Sequence, residues 1–326
     1  MAIRSLRVES MSKVQLPVVI TPTRAELGAR CHRRHFLSDI LGRARYASSS
    51  LEFGSVVHAG IAAHWLKQDV SKVLADEWNK RFEILQTGYT ELPSQDKVSL
   101  AMANAMLDHY ASNAPLAGPF EGQGNFKLVD AEQRFEIPLR DVKLSFQCDR
   151  IVYDKEQNWM VIIDSKTGAR LDQRWDKQWE TSLQMKLYRA GAKTVFDTAG
   201  RVDIVVEGVL KHVPSSVRYY VCPEWSDGML AEAGHNAYVI AALDSDLISQ
   251  GSDVINLTDA DGVASQKLVP NVQKIEELAV RFTPVNYADC FAYGIECPFR
   301  RLCVADIDQR IPILHAEYFE IQEESY

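Results

Sequence analysis

No run of this chain approaches the roughly 20 consecutive apolar residues that a membrane helix needs, so no contact with a membrane is expected. There is no internal repeat and no long low-complexity tract, which sets aside solenoids and extended linkers. The pattern Gly-x-x-x-x-Gly-Lys-[Ser/Thr] is missing, so the chain carries no nucleotide-driven motor of its own. Positive charge is in deficit. Against 44 Asp and Glu stand 36 Lys and Arg, a formal net charge of −8, which counts against a general coat for nucleic acid and leaves only local phosphate contacts. Cysteine is scarce, at six residues. Met1-Ala2-Ile3-Arg4 leads into a polar segment with no signal peptide, so disulfides are a poor reading and a reducing, cytoplasmic setting is expected. For a phage-encoded chain this is the host cytoplasm.

What is present is an ordinary composition, 46% hydrophobic and 25% charged, suited to one large domain with insertions or to two domains. Residues 1–20 read as a poorly specified arm. Residues 21–115 read as mostly helical, with Val57, Ile61 and Trp65 at helical spacing in a helix over Phe53–Thr87 and another helix over Lys97–Ala111. Gly and Pro make residues 115–124 a loop. Three strands are expected over Phe126–Leu139, Val142–Tyr153 and Trp159–Asp164, then a long helix over residues 173–197. Strands over Val202–Lys211 and Ser216–Cys222 follow, then a helix from Asp227 to Ile248. Ser249–Asn271 is polar, contains Asp259-Ala260-Asp261-Gly262, and reads as an exposed loop; Val272–Arg281 reads as a helix. The sum is an α/β fold, a mixed central sheet flanked by helices. A helical region (21–115) precedes the core (116–225), and a second helical region (226–326) follows it.

The chemistry concentrates around Asp149, Asp164 and Lys166. Val161-Ile162-Ile163 is a short β-branched run typical of a buried strand, and Asp164 and Lys166 follow it two residues apart, on one face of an extended chain. Burying a carboxylate and an ammonium there costs both their hydration, which a metal on the carboxylate and a reactive oxygen at the lysine would justify. An exposed salt bridge at a strand end is the plain alternative. Asp149 ends the strand-like run before it, and the polar segment Asp154-Lys155-Glu156-Gln157-Asn158 makes a hairpin that brings the two aspartates together. Asp149 starting a turn is the plain reading. Hard oxygen ligands favour Mg2+ or Mn2+.

These residues resemble the PD-(D/E)XK nucleases, and within them the RecB/AddB-like exonucleases. Gly54-Ser55-Val56-Val57-His58 matches a Gly-x-x-x-His near a helix start. Asp149 matches the aspartate of the second core strand. Asp164-Ser165-Lys166-Thr167-Gly168 matches Asp/Glu-x-Lys followed by Thr-Gly, and Gln184-Met185-Lys186-Leu187-Tyr188 matches a helical Gln-x-x-x-Tyr. Each motif alone is weak; their order and spacing agree from about residue 25 to about residue 305. The resemblance implies a restriction-endonuclease-like core and a metal-dependent deoxyribonuclease that acts on DNA ends. It implies Asp149 and Asp164 as metal ligands, His58 as a metal ligand or a contact to the scissile phosphate, and the residue 165 carbonyl as a further ligand. Lys166 orients or helps deprotonate the attacking water and stabilises charge developing on the phosphate. Gln184 and Tyr188 face the bound strand and the metal site, and Glu132 is an accessory acid at the start of the first core strand that helps the metal or positions Lys166. DNA, single-stranded or an end-containing duplex, is the implied partner. A helicase, an annealing protein or a CRISPR adaptation protein is an implied associate, in recombination or repair.

Cys290, Cys297 and Cys303 form Cys-x6-Cys-x5-Cys, and Cys31 stands alone far upstream. Some RecB/AddB-like nucleases, including the CRISPR-associated ones, resemble this layout, which implies that the four thiolates hold a [4Fe–4S] cluster joining the chain ends. Four cysteines also suit zinc. Cys148 and Cys222 lie in strand-like runs and read as buried free thiols. Arg33, Arg34, Arg300 and Arg301 flank the proposed cluster ligands and form a candidate DNA-binding surface, or are ordinary solvated arginines. His58 lies on an apolar helix face, where a core histidine is the plain alternative. Glu132 could be a surface charge, Tyr188 a core residue and Gln184 a surface amide. His32, His35 and His64 have no motif behind them and read as surface or cluster-adjacent. Two rivals to the nuclease remain: a catalytically silent DNA- or partner-binding module, and a zinc-stabilised structural protein.

Overall fold

β-Branched runs bury both faces of a central sheet, and amphipathic helices cover it. The computed structural model describes residues 19–44, 49–88, 98–196, 199–258, 264–286, 290 and 297–320. The helices are α1 (Pro22–Arg30), α2 (His32–His35), α3 (Ser49–Trp65), α4 (Val70–Gly88), α5 (Leu100–Asn113), α6 (Gln173–Glu180), α7 (Leu183–Val195), α8 (Asp227–Gln250), α9 (Val272–Phe282), α10 (Arg300–Val304) and α11 (Ile307–Glu317). The strands are β1 (Val19–Ile20), β2 (Arg43–Ala44), β3 (Lys127–Leu139), β4 (Val142–Asp154), β5 (Trp159–Gly168), β6 (Arg201–Leu210), β7 (Val217–Val221), β8 (Ser252–Thr258), β9 (Ala264–Pro270) and β10 (Phe319–Glu320).

The main sheet runs β1-β4-β5-β6-β7, with β3 also on β4. β3 takes one whole edge of β4, antiparallel from Lys127/Tyr153 to Leu139/Val142. β1 and β5 therefore share the other edge. β1 lies parallel at Lys143–Leu144, and β5 lies antiparallel from Arg150/Ile163 to Asp154/Trp159. β5 and β6 are parallel, and β6 and β7 antiparallel. The mixed α/β sheet expected from the sequence is thus present.

One face of the sheet packs on α1, α7 and α8 through Phe146, Ile162, Leu187, Ile204 and Ile240. Phe53, Val57, Ile61 and Trp65 of α3 pack with Met106 and Tyr110 of α5 in a separate core, which reaches β6 at Val209. A third core joins Phe36 and Leu37 to α9, α10 and α11.

Several expected boundaries move. The helix over Phe53–Thr87 is two helices, because Lys67 turns into left-handed φ (59°) and the Asp69 carboxylate accepts from the Lys72 N–H to start α4. The helix over 173–197 is also two, because Ser182 caps α7 by accepting from the Met185 N–H. Ser249–Asn271 is not a loop. β8 and β9 pair antiparallel from Ser252/Pro270 to Thr258/Ala264; residues 259–263 lie outside the described residues. Of the arm over 1–20, Val19–Ile20 is a strand on β4, and residues 1–18 lie outside the described residues. Asp149 is inside β4 rather than at its end. Glu132 is in the middle of β3, not at its start.

Candidate active site

The site forms where β5 leaves β4. Their ladder ends at Arg150/Ile163, and one residue further on the Asp149 side chain replaces it: its Oδ2 accepts from the Ser165 backbone N–H at 2.7 Å. β5 continues to Gly168 supported by β6 alone, with Asp164 opposite Val206 and Lys166 opposite Gly208. The separation opens a wedge at the Ser145–Asp149 edge of β4, between β1 and β5. Asp164 is 1% exposed, and the Lys166 ammonium reaches back along the same strand face to 2.8 Å from its Oδ2.

Two further groups close on Asp149. From α3, the His58 Nδ1 lies 3.4 Å from the Asp149 Oδ2. From β3, Glu132 falls between the paired residues Ala131/Arg150 and Gln133/Cys148, opposite Asp149. Its φ of 60° is left-handed backbone that non-glycine residues seldom adopt outside functional or strained sites. The Gln147 amide donates to its carboxylate. Three carboxylates from three neighbouring strands therefore meet one imidazole and one ammonium.

The charges interact strongly. Burial pushes the Glu132 carboxyl up to about 7, and the Asp149 charge adds to this. Burial likewise raises Asp164, with Asp149 reinforcing it and Lys166 opposing. Burial also works against ionised Asp149, but His58, Lys166 and the Ser165 N–H outweigh it and lower its pKa. His58 and Lys166 are both pushed up, because the carboxylates beside them overcome the cost of burial. Carboxylates crowded this closely suit a hard divalent cation, which would relieve their repulsion. Among the described residues, no three His, Cys, Asp or Glu side chains already converge at metal-ligand geometry. Asp164 instead pairs with Lys166, so the fit rests on the donor set.

Gln184 and Tyr188 lie on one face of α7. The Gln184 amide donates to the Thr23 hydroxyl (3.1 Å) and the Tyr188 hydroxyl (3.3 Å). Burial, then the Asp164 and Asp149 charges, push the Tyr188 hydroxyl pKa well up, and Gln184 is tied to α1 through Thr23. Nothing in the sequence marked Glu26. Its Oε2 accepts from the Ser182 hydroxyl (2.6 Å) and the Gln184 N–H (2.9 Å), and its charge helps keep Lys166 protonated. A glutamate on a short helix far upstream carries no local signal for this. Gly54 is where α3 meets β5: a Cβ there would lie 2.9 Å from the Thr167 Oγ1, so the glycine four residues before His58 lets the helix approach the site.

The four cysteines Cys31, Cys290, Cys297 and Cys303 line one small cavity of about 10 Å3, with Arg34, Val285, Asn286 and Phe299. The Cys297 N–H donates to the Cys290 carbonyl at 2.7 Å. Burial raises the Cys297 and Cys303 thiols, and the neighbouring cysteines add to this. Cys148 and Cys222 are in the sheet core, where burial pushes both thiols up. A larger cavity of about 360 Å3 between the β3–β4 turn and α7 and α8 holds none of the site's carboxylates.

Arg33 is not on the surface. It is 4% exposed and donates to the Thr283 hydroxyl and carbonyl at 3.1 and 3.0 Å, tying α2 to the segment after α9. Arg34 and Arg300 are half-buried, and the exposed Arg301 pairs with Glu317 at 2.7 Å. His32 and His35 are not surface residues either: both are buried and grip the Asp244 carboxylate at 2.9 and 2.8 Å.

A family model of the PD-(D/E)XK nuclease superfamily matches residues 19–304. The chain belongs to the PD-(D/E)XK nuclease superfamily. Two solved structures are similar at low identity. A crystal structure described as "Putative exonuclease" from Eubacterium rectale is 14% identical, with a TM-score of 0.46, over 76% of this chain and 87% of that one. The structure of SSO0001 is 14% identical, with a TM-score of 0.33, over 71% of this chain and 79% of that one. No curated protein matches. The matched span takes in Gly54, His58, Glu132, Asp149, Asp164, Lys166, Gln184 and Tyr188, and also Cys31, Cys290, Cys297 and Cys303. Among the described residues no helix is long and apolar enough to cross a membrane.

Proposed function

We propose that this chain is a metal-dependent deoxyribonuclease working from DNA ends, with Asp149, Asp164 and Lys166 at its centre. The observation that carries the reading is the wedge where β5 parts from β4, with the Asp149 carboxylate bridging to the Ser165 N–H beside the Asp164–Lys166 pair. Asp149, Asp164 and, on their flank, His58 and Glu132 would hold Mg2+ or Mn2+, with the Ser165 carbonyl as a further oxygen. A bound divalent ion supplies an acidified water and charge neutralisation at the phosphate. Hydrolysis joins the water oxygen to phosphorus and breaks the P–O3′ bond, leaving a 5′-phosphate and a 3′-hydroxyl.

Lys166 stays protonated here, because the Asp164 and Asp149 charges outweigh its burial. Its main contribution is then to hold the water and stabilise charge growing on the phosphate, rather than to act as a base. Tyr188 and Gln184 border the strand's path. Arg34, Arg300 and Arg301 are the remaining candidates for phosphate contacts outside the wedge, with Arg33 removed by its burial.

The four cysteines hold a second centre that fastens the chain ends. Four thiols around one cavity suit a [4Fe–4S] cluster, with zinc as the alternative. Working partners would be a helicase, an annealing protein or a CRISPR adaptation protein, in the cytoplasm. Anaerobically purified protein, incubated with end-labelled single- and double-stranded DNA, should degrade it with Mg2+ or Mn2+ and not with EDTA. DNA bound but uncut in either metal would favour the silent binding module.

A further inference from the structure

Beneath the wedge lies a fully buried ion pair that the hydrolysis does not use. Arg150 and Glu207 are both 0% exposed, and Arg150 Nη2 donates to the Glu207 Oε1 at 2.9 Å. The other carboxylate oxygen, Oε2, accepts from the Tyr110 hydroxyl at 2.9 Å and from the Ser165 hydroxyl at 2.8 Å. The Tyr110 hydroxyl in turn accepts from Arg150 Nη1 at 2.7 Å and from the Trp65 indole at 2.8 Å, and the Arg150 guanidinium lies 4.5 Å from the Trp65 ring centroid.

Each arm ends on an element of the site. Arg150 follows Asp149 on β4. Ser165 separates Asp164 from Lys166 on β5, and its N–H is the one Asp149 accepts. Trp65 is two helical turns after His58 on α3, so the two side chains share a face and fixing one sets the helix rotation of the other. β4 and β5 pair by backbone up to Arg150/Ile163 and not beyond, so past that point side-chain links such as this one tie the two strands together. A buried ion pair is a weak source of net stability compared with apolar packing, which makes geometric control its more economical role.

We propose that Glu207 is the positioning residue of this site, holding Asp149, His58 and the Asp164–Lys166 pair in one arrangement through Arg150, Tyr110, Trp65 and Ser165. Glu207 touches neither the phosphate nor the metal. The inference rests on the nuclease reading above but is tested separately from it. Groups that orient metal ligands typically change metal affinity or activity by about 10- to 100-fold when replaced.

The test titrates Mn2+ by electron paramagnetic resonance against the parent, Glu207→Gln and Ser165→Ala, with melting curves and DNA affinity in EDTA. Glu207→Gln keeps the side-chain size and loses the charge. It should stay folded, bind DNA as the parent does, and lose about 10-fold or more in Mn2+ affinity with a matching fall in the single-turnover cleavage rate. Ser165→Ala removes one link and should lower Mn2+ affinity by about 3- to 10-fold, the scale of one hydrogen bond; it decides the matter if Glu207→Gln fails to fold. A folded Glu207→Gln that lowers only the melting temperature, with Mn2+ affinity unchanged, overturns the proposal, as does a Ser165→Ala protein that matches the parent. A parent that binds Mn2+ but cuts no DNA would overturn the nuclease reading, leaving the positioning role to be judged by the Mn2+ affinities alone.

Discussion

Asp149 and Asp164 sit on two strands of one hairpin, whereas Cys31 and Cys303 come from opposite ends of the described chain, with the whole central sheet between them in sequence. The two regions also hold charge differently. The wedge gathers ionised groups that shift one another's pKa values in both directions. The thiol cavity is enclosed by Phe299 and Val285, and burial favours neutral thiols there. A site made by local strand geometry can lose its chemistry without losing its fold. A site that closes a long loop cannot, because its ligands also restrain the chain.

Substitution should separate the two. Asp164→Ala is expected to lower Mn2+-dependent cleavage by orders of magnitude, since it removes the proposed metal ligand and the partner of Lys166. Its melting temperature should hardly fall, because the lost carboxylate is one that burial already disfavours. Activity assays beside calorimetry check both halves. Cys31→Ser should do the reverse: metal content, by iron, sulfide and zinc analysis, should drop and the melting temperature should fall for the whole domain. Cys148→Ser and Cys222→Ser should keep the metal. Metal retained in Cys31→Ser would break the contrast.

The strongest legible signals were the ones that short-range geometry turns into structure. Asp164 and Lys166 share a strand face because side chains alternate, and the turn residues between β4 and β5 bring Asp149 alongside. Glu26, Glu207 and the His32–Asp244–His35 grip left no trace, because their partners are distant in sequence and their spacing follows no period. Arg33 was misread for the same reason: a run of arginines looks solvated until Thr283 is seen to receive one of them. The β8–β9 hairpin was missed because its polar residues masked its alternation.

Smaller effects sharpen the contrast further. Gly54→Val sets side-chain atoms against the Thr167 side chain, so either Thr167 turns or α3 shifts, and a shift of α3 carries His58 away from Asp149. The expected cost is about 1–3 kcal/mol of stability, the usual range for overpacking, with a fall in cleavage rate larger than the change in DNA affinity.

At the cysteine end of the molecule, Asp244 and Asp39 overcome the burial penalty and push the His35 pKa from 6.5 to about 9. A histidine whose pKa rises on folding adds stability that is complete below pH 6.5 and is lost as pH climbs through 9. The parent's melting temperature should therefore decline across that interval, whereas Asp244→Asn should start lower and change less. Melting curves at several pH values decide it, and parallel slopes would count against the grip on Asp244.

The central claim, that the wedge performs metal-dependent hydrolysis with Lys166 as a group apart from the ligands, is tested most directly in one protein. Lys166→Ala should be titrated with Mn2+ and then assayed in single turnover on end-labelled DNA. The account predicts that Mn2+ binding persists while the cleavage rate falls by about 100- to 1,000-fold, as when a charge-stabilising donor is removed. Cleavage at the parent rate with Mn2+ bound would contradict it.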